Sequence, residues 1–111
     1  MGALLERIDE LLRTVGSAGD SWRNATARIE NTLTEGYAHA LALEGERWRL
    51  HRRIGEAAAG LSRDDADGAH EISLLARRLA EADDELTSLR ERLDALRRHA
   101  SELRLLPARS R

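Results

Sequence analysis

Residues 72–103 read ISLLARRLAEADDELTSLRERLDALRRHASEL. A heptad with a at 72, 79, 86, 93 and 100 and d at 75, 82, 89, 96 and 103 puts ten side chains on one seam. They are Ile72, Leu75, Leu79, Ala82, Leu86, Leu89, Leu93, Leu96, Ala100 and Leu103. All are apolar in a chain that is 41% apolar, a chance of about 10⁻⁴ before choice of register. Between its ends, Leu74 alone is a large apolar residue off the pattern. A repeat of 3.5 residues keeps a narrow apolar stripe along a helix, and that stripe is buried only against another helix. The helix is expected to stop near Leu106, because the residue before Pro107 is pushed out of helical geometry.

Upstream, Ala59-Gly60-Leu61 reads as a helix end, with Gly60 left-handed and Leu61 folded back on the last turn. Ser62-Arg63-Asp64-Asp65 then has the spacing of a capping box. A rival start uses Asp67 as cap, with 60–66 as a looser loop. Either way a tight turn makes the flanking helices antiparallel neighbours. The preceding helix spans 21–59, with the seam Trp22, Thr26, Ile29, Leu33, Gly36, Ala40, Leu43, Arg47, Leu50, Ile54 and Ala57. Thr26, Gly36 and Arg47 are its poor members.

If the turn centres on Leu61, Leu50 faces Ile72, Leu43 faces Leu79, Gly36 faces Leu86 and Trp22 faces Ala100. Arg47 falls opposite Leu75, the one unfavourable layer. Beside the seam, Arg53 lies near Glu71, Glu46 near Arg78, His39 near Glu85 and Glu30 near Arg90, while Arg23 and Arg97 repel. Exposed pairs contribute only about 0–1 kcal/mol each, but they select register. Gly36, Gly45 and Gly55 either allow close helix approach with mild bending, the preferred reading, or break the long helix near Gly45.

At the N-terminus, Leu4, Ile8, Leu11, Leu12 and Val15 share one face of a third helix over 3–15. Gly16 to Asp20 form a turn, with Asp20 or Ser21 as the next cap. The fold expected is therefore all-α: a long antiparallel helical hairpin, coiled-coil-like, with a short N-terminal third helix. It is one domain over 1–106, with a loosely ordered basic tail at 107–111. Three helices meet at the end holding the N-terminal helix, and two near Gly60. Each long arm would span about 55–65 Å. A pair of helices leaves part of each seam wet, so self-association is expected.

Composition narrows the chemistry. With 18 basic and 20 acidic residues the net charge is −2, so no global field draws the chain to nucleic acid or anionic lipid. Every basic residue is arginine, which codon usage explains without a functional demand. There is no cysteine, hence no disulfide, thiolate nucleophile or Cys-ligated zinc. The longest apolar run, Ala40-Leu41-Ala42-Leu43, is far short of the roughly 20 residues that span a bilayer. No signal-peptide core is visible, and the expected location is cytoplasmic.

His39, His51, His70 and His99 include no Glu-x-x-His arrangement, so no metal site is expected. No cofactor loop is expected either. Asp83-Asp84-Glu85 reads as a solvated helix face, and no nucleophile is arranged beside a base. The chain is therefore read as non-enzymatic. The residues left for contact are Leu41 and Trp48, off the seam, with Arg49 and Arg52 beside them.

They imply a protein partner, including a second copy of the chain in a dimer, and a role as scaffold, spacer or adaptor. An alternative takes the Arg-rich segment 47–53, with Trp48 embedded, as a phosphate clamp with a stacking ring, making a nucleic-acid-associated accessory factor. In size and two-helix plan the chain also resembles the small secreted helical-hairpin proteins of type VII secretion. Their Trp-x-Gly turn is replaced here by Gly60-Leu61-Ser62. That resemblance implies export with a partner.

Overall fold

The computed structural model describes residues 2–14, 22–62 and 65–109, with backbone alone at Thr14, Trp22 and 104–109. Three helices follow in order: α1 (Gly2–Thr14), α2 (Trp22–Ala59) and α3 (Ala66–Arg109). The described residues contain no strand. α2 and α3 pair as an antiparallel helical hairpin and α1 is the short third helix, so the fold is all-α. Val15, the turn expected at 16–20 and its caps at Asp20 or Ser21 lie outside the described residues. So do Arg63, Asp64 and the last two residues of the tail.

Two compact units make up the chain. The first joins Met1–Ala40 to Ser88–Arg111 and so contains α1, the first half of α2 and the second half of α3. Its core is Leu4, Ile8 and Leu11 of α1, Ala25, Ile29 and Ala40 of α2, and Leu89, Leu93, Leu96, Ala100 and Leu103 of α3. Polar clips hold α1 to both neighbours. Arg7 Nη2 donates to Glu35 Oε1 at 2.5 Å, and Arg92 Nε donates to Asp9 Oδ1 at 2.9 Å. Each apolar side chain taken fully out of water contributes about 1.5–3 kcal/mol, and Ile8, Ile29, Leu89, Leu93 and Leu96 are all completely enclosed.

The second unit, Leu41–Thr87, is the two-helix end with its turn. Leu43 and Leu50 of α2 are buried with Leu75, Ala82 and Leu86 of α3. Ile54, Ala57, Ile72 and Leu79 are only half-buried, as two helices without a third leave the seam margins wet. Arg78 Nη2 pairs with Glu46 Oε1 at 2.7 Å, as the flank spacing predicts. Arg53 and Glu71, also placed together by that spacing, are both exposed.

The turn differs from expectation in a physically instructive way. α3 starts at Ala66, not at Ser62, and its cap is Asp65 rather than Ser62 or Asp67. Asp65 Oδ1 accepts from the Gly68 N–H at 2.7 Å, while its carbonyl accepts from the Ala69 N–H at 3.1 Å. That is an N-cap satisfying the third amide of the helix, with Asp67 adding favourable charge in the first turn. Gly60 is not left-handed. Instead α2 tightens at its end: the Gly60 N–H donates to the Glu56 carbonyl and the Leu61 N–H to the Ala58 carbonyl, both at 3.2 Å. Leu61 lies beside Gly68 in the first turn of α3 rather than back on α2 alone.

Because the turn is longer than expected, facing residues shift along α3. Gly36 meets Leu93, one heptad beyond Leu86, and a methyl built on Gly36 would overlap Leu93 Cδ2. Arg47 does not end against Leu75; its Nε reaches the Asp83 carboxylate, in ionic contact without hydrogen-bond alignment. α2 is helical throughout Gly36, Gly45 and Gly55, with no interruption near Gly45. α3 continues past Leu106 to Arg109. Pro107 costs α3 one backbone hydrogen bond in its last turn, and only two helical residues follow it.

Candidate protein-contact surface

Along α2, positions 41, 45, 48, 52 and 55 step by 4 and 3, so they share one stripe. Leu43, Leu50 and Arg47 face α3, and that stripe is on the opposite side of the helix. Leu41 is 69% exposed and Trp48 is 70% exposed. A single exposed leucine carries little information, but an exposed tryptophan sharing its stripe makes this side of α2 a candidate contact surface. Arg49 and Arg52 are exposed on the same side. The structure thus brings the four residues chosen from the sequence, Leu41, Trp48, Arg49 and Arg52, to one outward face of the second unit.

The guanidiniums differ in how they are held. Arg52 Nε stands 3.8 Å from Glu56 Oε1, an exposed pair one turn apart. Arg49 folds toward Gly45, its Nη1 3.4 Å from where a Cβ would sit. Arg47 belongs to the Asp83 contact and to the hairpin interior rather than to this face. Arg53 and His51 are exposed beside it. Gly55, on the same stripe, has open space where a side chain would project.

Two exposed apolar residues were not assigned from the sequence. Leu74, 49% exposed, is on the outer side of α3 in the second unit, and Tyr37, 44% exposed, is on α2 in the first. Leu74 was legible as an off-seam leucine, and being off-seam is the same signal that picked Leu41. Trp22, expected against Ala100, has its side chain outside the described residues.

Among the described residues no group of three or more His, Asp or Glu side chains converges as a metal would need. Glu35, one turn before His39, is taken by Arg7. A shallow concavity on α3 is lined by Asp94, Arg97, Arg98, Ser101 and Glu102 and is open to solvent. Another, between α1 and α2, is lined by Arg7, Glu10, Leu11, Arg28 and Thr32. Arg7 there is paired with Glu35, and Glu10 and Arg28 have partners of their own. No helix among the described residues is long and apolar enough to cross a membrane. Comparison with protein-family models, curated proteins and solved structures found no match for the chain.

Proposed function

We propose that this chain is a non-enzymatic, coiled-coil-like helical protein that works by protein–protein contact, as a cytoplasmic scaffold, spacer or adaptor, and that it associates with itself, with a dimer as the smallest assembly. One observation carries the reading: Leu41 and Trp48 stand exposed, two turns apart, on the side of α2 turned away from α3. An exposed tryptophan beside arginines is the residue mix enriched where proteins bind one another.

Sedimentation equilibrium of the wild type and of Leu41→Ser/Trp48→Ser tests it. The wild type should show a mass rising above 12.4 kDa with concentration, and the double variant should stay monomeric with unchanged helical circular dichroism. A wild type that remains monomeric at high micromolar concentration overturns the self-association reading.

The exposed Trp48 among Arg49, Arg52 and Arg53 also fits the nucleic-acid alternative, in which the ring stacks on a base. Arg47 and Arg52 already have acidic partners, which lowers the free positive charge and ranks this reading second. A low-salt mobility shift that Arg49→Glu/Arg52→Glu abolishes would support it, and unchanged mobility would remove it.

A further inference from the structure

The second unit carries two outward faces of opposite charge. On α2, Arg49, Arg52 and Arg53 are exposed in the turn that follows Trp48, with Glu56 as the nearby counter-charge. On α3, Glu81, Asp84 and Glu85 are exposed, about two to three turns after Leu74, and Arg77 is the counter-charge among them. Arg78, the other base there, is already paired with Glu46. The basic triplet and the acidic triplet have the same spacing, Arg-x-x-Arg-Arg against Glu-x-x-Asp-Glu. Each triplet sits C-terminal to an exposed leucine, Leu41 on α2 and Leu74 on α3.

We propose that the occupant of this face of α2 is α3 of a second copy of this chain, held by Arg49, Arg52 and Arg53 against Glu81, Asp84 and Glu85. This deepens, and rests on, the self-association reading. An isologous pairing of two α2 faces would bring arginine triplets together, and like charges in register oppose association. Since the two faces are different surfaces of one molecule, the contact is heterologous: it does not close on two copies, and repeating it extends an open row.

Reciprocal charge reversal tests the pairing. One variant carries Arg49→Glu/Arg52→Glu/Arg53→Glu and the other Glu81→Arg/Asp84→Arg/Glu85→Arg, all at exposed positions. Analytical ultracentrifugation at low salt should show the wild type growing beyond a dimer with concentration and dissociating in molar salt. Each variant alone should sediment as a monomer, and an equimolar mixture of the two should recover the wild-type association. Circular dichroism of each variant confirms that it is folded. Failure of the folded mixture to associate overturns the proposal. A discrete dimer that persists through molar salt and in both variants also overturns it, while leaving self-association itself standing.

Discussion

Gly36 and Gly55 occupy the same helix, yet the same substitution should act on them in opposite directions. Replacing glycine by alanine within a helix stabilises by about 0.5–1 kcal/mol, because the unfolded chain loses freedom. At Gly55 a new methyl meets open space, so Gly55→Ala should deliver that gain in full. At Gly36 the methyl would overlap Leu93 Cδ2 and lie 3.4 Å from Cγ and 3.5 Å from Cδ1. Leu93 is only 1% exposed, so making room for the methyl means shifting a core side chain rather than turning one out into solvent. Overpacking of this kind costs about 1–3 kcal/mol. Set against the propensity gain, Gly36→Ala should come out between neutral and about 2 kcal/mol destabilised, and below Gly55→Ala by about 1–3 kcal/mol. Urea unfolding of the wild type and both variants, followed by circular dichroism, measures the difference. Truncating the clashing partner supplies an internal check: Gly36→Ala and Leu93→Ala should couple favourably, by about 1 kcal/mol in a double-mutant cycle. Equal stabilisation by Gly36→Ala and Gly55→Ala would refute the close approach of α2 to α3 at this layer.

Other outcomes follow from individual side chains. Thr26 Oγ1 is buried and finds no hydrogen-bond partner among the described residues, so Thr26→Val, which keeps the shape, should stabilise by about 1–2 kcal/mol in the same urea assay. Asp65→Ala removes the acceptor of the Gly68 amide and should cost about 1 kcal/mol, whereas Asp65→Ser should retain most of the cap. Ile8 is fully enclosed between α1 and the helices it covers, and Ile8→Ala should cost about 2–5 kcal/mol, with faster amide exchange throughout α1 if that side chain is what fastens it. The Arg92–Asp9 pair is partly exposed, so its coupling energy in a double-mutant cycle should be at most about 1 kcal/mol and should shrink in salt.

Much of this protein was legible one residue at a time. The heptad from Ile72 to Leu103 identified the inner face of α3, and none of its ten side chains is exposed. Leu4, Ile8 and Leu11 marked the inner face of α1, and Leu41 and Trp48 were singled out because they fell off the seam of α2. Apolar periodicity reports which side of a helix is dry, and that is a property of the helix alone. The same periodicity is blind to which residue faces which. Sliding α3 by seven residues leaves its stripe turned inward, so Leu86 and Leu93 were equally good partners for Gly36 by pattern. The choice fell to Asp65, whose cap delays α3 to Ala66, lengthens the turn and passes the shift on to the layers beyond. Arg47 was a poor seam residue in the linear reading, and only the folded hairpin supplied the Asp83 carboxylate that tolerates it. Face selection is local and was encoded within each helix, whereas register is a relation between helices, and it was decided by the turn and by close-packed side chains that meet only once the chain has folded.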